Sequence, residues 1–514
     1  MDKKNQDYLF LSRAKEIKDP KKRILYRFFE MLPGILSWTT LLGALIFSWI
    51  APRVVAFFII LFDLYWLLRI VYLSWHQISS FREMKKNLSI DWTKKLNEVE
   101  NWGRLYHLII LPMYKEGREI VEGSLQSVLE CPYPKDRMII VLALEERAGP
   151  EVQKLGEELK LEFSDRFFQF LITVHPKDIP GEIKGKGSNV SWALQRVKEK
   201  IVRPLNLRAE DILVSSFDID TKPYPQYFSC LAFHYLTAEK PLRSSYQPIP
   251  VYNNNIWSAP SFSRVVATSN TFWQMMQQER PEVLVTYSSH SLPFKVIEDV
   301  GYPNNVVPDD SRVFWRAYFY YDGDYRVVPL HYPVSMDAVL AKNLSRTVIN
   351  QYRQQRRWAW GCVDIPFVLF GFLKNKRVSI MEKIYHVGNI LEGFWSWSTV
   401  SLLIFFLGWL PLLLGGDRFN VTLLSYNLPR ITRNLMTLSM VGVFVSATVS
   451  LLLLPQKPKG IGRFKNLSLF LQWLLLPITL ILFGSIPSLD AQTRLLMGKH
   501  LGFWVTEKTR SDNY

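Results

Sequence analysis

The chain has 514 residues, 48% of them hydrophobic, and its 62 Lys and Arg outnumber its 46 Asp and Glu to leave a formal charge of +16. That length predicts more than one folding unit. The basic balance does not point to nucleic acid, because the chain has neither an arginine-rich repeat nor a recognisable nucleic-acid module. Its cations instead flank apolar runs, where anionic lipid is their natural partner.

Residues 1–31 form a basic leader holding Lys3, Lys4, Arg13, Lys15, Lys18, Lys21, Lys22, Arg23 and Arg27. Leu32 to Ala51 and Val54 to Trp75 each approach the roughly 20 residues a bilayer-spanning helix needs. Only Pro52 and Arg53 part them, which predicts a transmembrane hairpin over 32–76. The first run carries no charge and no small-residue cleavage site, so it reads as a permanent anchor. Cations near span ends are retained on the cytoplasmic side, so the leader, and Arg82, Lys85 and Lys86 after the hairpin, place the middle region in the cytoplasm. The expected location is integral and multi-pass, in a plasma (inner) membrane. Cys131, Cys230 and Cys362 lack metal-ligand spacing and are expected to be reduced there. Asp63, mid-way along the second run, is an intramembrane carboxylate to which we assign no catalytic role.

From residue 80 to 350 the pattern changes. Leu105 to Gly117 is a short apolar run closed by polar residues, as a buried parallel strand is. Met138 to Leu144, Phe168 to Val174 and Asp211 to Ser216 read as further strands, with helical periodicity over Glu151 to Leu161 and Val190 to Ile201. Such alternation predicts an α/β domain with a parallel sheet covered by helices. Ligands in such folds sit at the carboxyl ends of the strands. Asp218-Ile219-Asp220 follows the fourth strand directly, and two carboxylates at that spacing can approach one hard cation while leaving positions open for phosphate oxygens. Further apolar runs cover Phe394 to Gly415, Leu435 to Leu454 and Leu467 to Leu489, within a membrane or re-entrant region expected over 386–490.

Several stretches, in order, resemble the family 2 glycosyltransferases, in particular the membrane-bound synthase branch that includes cellulose, chitin and hyaluronan synthases. Ile110 to Glu116 (ILPMYKE) looks like the first-strand signature, and Lys186 to Leu194 (KGSNVSWAL) is similar to KAGNxNxAL. Asp218 and Asp220 match the DxD, and Val307-Pro308-Asp309-Asp310 stands where the family has TED. Gln354 to Trp358 (QQRRW) fits QxxRW without departure, and Phe503 to Lys508 (FWVTEK) fits the FxVTxK gating loop of cellulose synthases. The resemblance implies a GT-A-like parallel-sheet domain over 80–350, inserted between N-terminal and C-terminal transmembrane helices. It also implies interfacial helices with QxxRW over 351–385 and a cytoplasmic tail over 491–514.

The roles implied by resemblance are these. Asp218 and Asp220 would bind Mg²⁺ or Mn²⁺ with the donor diphosphate, and Asp310 would be the catalytic base beside Asp309. Lys186 and Asn189 would lie near the diphosphate; Gln354, Arg357 and Trp358 would line the acceptor and diphosphate region; Thr506 and Lys508 would cover the nucleotide. The second strand ends in VLALEERAG rather than the family's Asp, which offers Glu145 or Glu146 to the nucleotide. The expected partners are a nucleotide-sugar donor (UDP by resemblance), a glycan or lipid-linked acceptor, and membrane lipid. The expected activity is inverting transfer to a polysaccharide. Single transfer to a lipid-linked acceptor is the alternative, and a non-catalytic transport or scaffold component is the alternative of another class. One conflict stands: three simple spans after a cytoplasmic domain would leave Phe503 to Lys508 outside. Pro477, Gly484 and Pro487 permit a broken or re-entrant last run that returns them.

Overall fold

The computed structural model describes residues 7–458, 462 and 464–504. Strands β1 (Tyr106–Met113), β2 (Met138–Glu145), β3 (Gln169–His175) and β4 (Ile212–Ser216) fall on the short apolar runs and pair in parallel. Every residue of β2 and β4 is buried, so those strands read as continuous rather than alternating runs. Helices Arg118–Glu130, Pro150–Phe163 and Lys186–Val197 make the returns between them.

The sheet then continues through β5 (Lys222–Pro223), β6 (Ser244–Val251), β7 (His290–Pro293) and β8 (Arg326–Ser335), in the order β3-β2-β1-β4-β7-β6-β8-β5. β7 runs antiparallel to β4 and β6, and β5 antiparallel to β8, so the sheet is mixed where the alternation predicts a parallel one. The sequence hides β7 because it is four residues, HSLP, with a buried His290 and with Ser291 hydrogen-bonded to Ser215 at 2.8 Å. Its fit comes from polar partners that only the folded sheet supplies.

Four helices are long and apolar enough to cross a membrane: Pro20–Ile50, Pro52–Ser89, Leu423–Leu452 and the interrupted stretch Lys465–Leu496. The first two form the hairpin, with Pro52 opening the second helix. At 38 residues the second helix is roughly 57 Å long, well beyond a bilayer core, so its end packs on the α/β domain. There Ser79 donates to Glu279 at 2.9 Å, and Met84 is buried against β6. The run Phe394 to Gly415 is carried by helix Ile380–Leu402, a wide turn to Leu407 and a short helix, Leu410–Leu414.

The last apolar run is broken. A tight turn at Gln472–Leu475 and a wide one at Ile481–Ser485 interrupt it, next to Pro477 and Pro487. It keeps contact with the domain along its length. Arg264 Nε donates to Gln472 at 2.7 Å, Trp473 stacks on Phe272, Phe483 stacks on Phe262, and Asp490 pairs with Arg356 at 2.8 Å. Beyond it, Arg27 donates to the carbonyls of Leu495 and Leu496 at 2.9 and 2.5 Å, satisfying the end of this helix from the start of the first. The run therefore touches the domain near both of its ends, and Phe503 reaches Gly185.

Where the first helix meets the last, a Cβ at Gly34 would stand 2.8 Å from Leu496 Cβ and 2.9 Å from the Gln492 carbonyl. Gly34→Leu is therefore expected to cost about 1–3 kcal/mol through overpacking. A thermal melt in detergent, with Gly43→Leu as the control at an open position, measures this; equal midpoints for the two variants would sink it.

Candidate active site

At the mouth of the sheet, Phe217 closes β4 by donating to Ile110 O at 3.2 Å, and the chain turns so that Thr221 N donates to Asp218 O at 2.9 Å. Ser124 Oγ donates to Ile219 O at 2.7 Å, which pins the middle of the turn. Asp218 and Asp220 thus flank a buried Ile219. One Asp218 oxygen accepts from Lys186 Nζ at 2.6 Å, the other from Ser288 Oγ at 2.7 Å. Asp220 is fully buried; its Oδ2 accepts from Asp337 N at 2.9 Å, and its carbonyl accepts from Asn254 at 2.9 Å.

Lys186 opens helix Lys186–Val197, and two glycines let the loop close on it. Gly185 has φ +151°, and a Cβ there would strike the Phe503 ring. At Gly187 a Cβ would stand 2.6 Å from the Pro303 carbonyl and 2.9 Å from Asp309 Cβ. The helix start is thereby flush against the segment that carries the second acidic pair. Burial works against the Lys186 charge, but Asp218, Asp309 and Asp310 outweigh it and hold the ammonium above its ordinary lysine value.

Asp309 and Asp310 begin helix Asp309–Tyr320, where negative charge suits the helix dipole. Asp309 is buried and accepts from Tyr302 at 2.9 Å; burial raises its carboxyl, against the pull of Lys186. Asp310 is pushed up to about 7, first by burial and then by Asp309, with Lys186 opposing. A carboxylate poised near neutrality is suited to taking a proton. Thr286 donates to the Asp310 carbonyl at 2.7 Å and helps fix this turn.

Helix Leu344–Ala359 brings in Gln354, Arg357 and Trp358. Tyr252, at the end of β6, joins the parts: its hydroxyl feels burial first, then the charges of Asp218, Asp220, Arg357 and Asp310. Its ring lies 6.0 Å from Trp358. Arg357 stacks over Phe503 at 4.9 Å, and Arg353 over Trp504 at 5.3 Å. Gln354 is buried, 3.5 Å from Gln351 Nε2. Two acidic pairs, a lysine and an arginine far apart in sequence are thus brought close enough to act on one another's charge.

No protein-family model matches the chain, and no curated protein matches it. Among solved structures the chain is similar to the mannosyltransferase PcManGT from Pyrobaculum calidifontis in complex with GDP-Man and Mn²⁺. That likeness is at 13% identity and TM-score 0.43, over 84% of this chain and 99% of that one. It is also similar to S. aureus TarS 1-349, in complex with UDP at TM-score 0.36 and with UDP-GlcNAc at 0.37. Both are at 10% identity, over 67% of this chain and 90% of theirs. The chain's own architecture is a mixed-sheet α/β domain between two N-terminal and two C-terminal long apolar helices.

The donor set at Asp218 and Asp220 is oxygen only, which suits a hard cation such as Mg²⁺ or Mn²⁺. Among the described residues no three His, Cys, Asp or Glu side chains converge, so a cation there would need further oxygens, as a diphosphate supplies. Lys186 Nζ at 2.6 Å shows how strongly Asp218 draws positive charge.

Other expected residues stand farther from the cleft's centre. Glu145 is buried at the end of β2, held by Arg147 on both oxygens, and lines a small cavity with His175, Lys177, Glu182 and Lys184. Asn189 donates to the Ala143 carbonyl at 2.7 Å and so ties its helix to β2. Thr506 and Lys508 lie outside the described residues, as do Lys3 and Lys4. Sequence reading missed Ser288, Tyr302, Tyr252 and the Asp337 amide. None belongs to a motif, and each is a neighbour only through the second half of the sheet, β5 to β8.

Proposed function

We propose that the chain is a membrane-bound, inverting glycosyltransferase of the family 2 synthase kind. It would move a sugar from a nucleotide-sugar, a UDP-sugar by resemblance, to a glycan or polysaccharide acceptor at the cytoplasmic membrane face. The observation that carries this reading is that Asp218, Asp220, Asp310 and Arg357 all act on Tyr252 while Lys186 bonds Asp218, with the residues in the order of the family's motifs.

Asp218 and Asp220 would hold Mg²⁺ or Mn²⁺, which supplies Lewis-acid neutralisation of a departing diphosphate. Lys186 and Arg357 are placed to hold diphosphate charge, electrostatic help that matters most inside a cleft with little water. Asp310 takes the proton from the acceptor hydroxyl as its oxygen bonds to the anomeric carbon and the bond to the diphosphate breaks. Attack opposite the leaving group inverts that centre. Trp358 and Tyr252 offer flat faces for a sugar ring.

The single-transfer alternative has an observation of its own. Ser37, Ser398 and Gln492, on helices Pro20–Ile50, Ile380–Leu402 and Ile486–Leu496, are fully buried, and Ser37 is hydrogen-bonded to each of the other two at 2.7 Å. That polar seam is closed by its own bonds rather than open to a sugar chain. Incubation with a panel of labelled nucleotide-sugars and Mn²⁺ or Mg²⁺, followed by mass analysis, tests the proposal. Transfer from one donor is expected, with long products for a synthase and a single added sugar for the alternative. Absence of binding to every nucleotide-sugar would favour the non-catalytic reading.

A further inference from the structure

Helix Asp309–Tyr320 begins without a side-chain cap at Pro308, and locally only the Asp310 carboxylate, accepting from Ser311 N, serves its first turn. It is also held from elsewhere. Ser311 Oγ donates to Asp364 Oδ2 at 2.5 Å, and Arg312 Nε donates to Asp364 Oδ1 at 2.7 Å. Arg312 is fully buried; it also donates to the Val363 carbonyl at 3.1 Å and lies 4.1 Å over the Phe367 ring. From Nη1 it also donates to the Leu11 carbonyl of the N-terminal leader at 2.9 Å.

The leader is built to be there. Leu9 is 2% exposed and shares a core with Phe314, Ala317 and Phe319, while Tyr8 meets Phe319 edge-on. Phe10 stacks under Arg316 at 5.0 Å, and its carbonyl accepts from Asn305 at 2.7 Å. Ala14 N donates to buried Glu30 at 2.9 Å; Glu30 in turn pairs with Arg27, which holds the end of the last helix. A buried guanidinium that loses an acceptor, or a buried carboxylate that loses its cation, moves until it finds another. The residues that would move are the two following Asp310.

We propose that leader residues 7–11 and the Arg312–Asp364 pair are positioning elements that hold the Asp310 carboxylate in register with the acceptor. The proposal rests on the reading of Asp310 as the base. A strap that only stabilised the fold would affect donor binding and turnover together, whereas a positioning strap acts on turnover alone. A displacement of about 1 Å at a reacting group costs on the order of 100-fold in rate.

The test uses the full chain in two variants, Tyr8→Ala/Phe10→Ala to loosen the leader and Asp364→Asn to discharge the pair, with Asp310→Asn alongside. Each of the first two is expected to lower kcat by at least about tenfold. Donor KM and Mn²⁺-dependent nucleotide affinity should stay within about twofold of the wild-type values. Loss of nucleotide affinity in step with kcat in both variants overturns the proposal and leaves the contacts structural. Wild-type kcat in both, with Asp310→Asn inactive, overturns the proposal but not the base. Retained transfer by Asp310→Asn overturns the base reading itself.

Discussion

Asp310→Asn is expected to lower sugar transfer about a hundred- to ten-thousand-fold, the usual worth of a positioned general base, with Mn²⁺-dependent nucleotide binding intact. The amide keeps the shape and can still accept from Ser311 N, as the carboxylate does at 2.9 Å, so the helix start should survive. Lys186, Asp218 and Asp220, proposed above to bind the donor, are untouched. A companion pH profile carries the sign. The wild-type carboxyl, raised to about 7 by burial and Asp309, is protonated and idle below that pH. The kcat/KM of the wild type should therefore rise with pH through about 7. Stability runs the other way. A carboxyl raised above its unfolded value favours folding fully below the ordinary carboxylate range and loses that contribution as pH rises through about 7. Above that range Asp310→Asn should melt higher than the wild type. Turnover close to wild type, or a lower melting point at alkaline pH, would remove Asp310 from the role.

Asp220→Asn should be as damaging by a different route. The Asn carbonyl can take over the bond from Asp337 N, so the fold is expected to persist. What is lost is one of two negative charges available to a divalent cation, with nothing else among the described residues converging to replace it. Titration of nucleotide with and without Mn²⁺ should show metal-dependent affinity reduced by a factor of about ten or more, with kcat/KM falling in parallel; that factor corresponds to roughly 1.4 kcal/mol. Metal-dependent binding unchanged in both Asp220→Asn and Asp218→Asn would falsify the assignment of the pair.

The parts of the fold that sequence made legible share a cause. β1, β2 and β4 are buried along nearly all their length, so their apolar runs are uninterrupted, and the polar residues that end them mark the sheet's mouth. Asp218 and Asp220 were visible because they follow such a run at once. The second half of the sheet was not legible: β5 is two residues and β7 is HSLP, with no period that could be read, and β6 and β8 are each interrupted by two prolines. Glu145 was visible as a strand end, but its capture by Arg147, two residues on, depends on side-chain geometry. Likewise Phe503 was a motif position, while its seat on Gly185 needs the broken path of a run that composition alone presents as one more span.

Sequence by itself determined the hairpin, the four-fold strand and helix alternation, and the acidic and basic residues available for chemistry. These follow from local rules: the length of apolar runs, the spacing of charges, the residues that stop a strand. Only the tertiary structure decided which of those residues meet. Lys186 reaches Asp218 across 32 positions, and Arg312 reaches Asp364 across 52 and the leader's Leu11 across 301. The poise of Asp310 near neutrality arises there too, because it is a balance between burial, a like charge and a cation. Such balances depend on distance and exclusion of water, and neither is written in the order of residues.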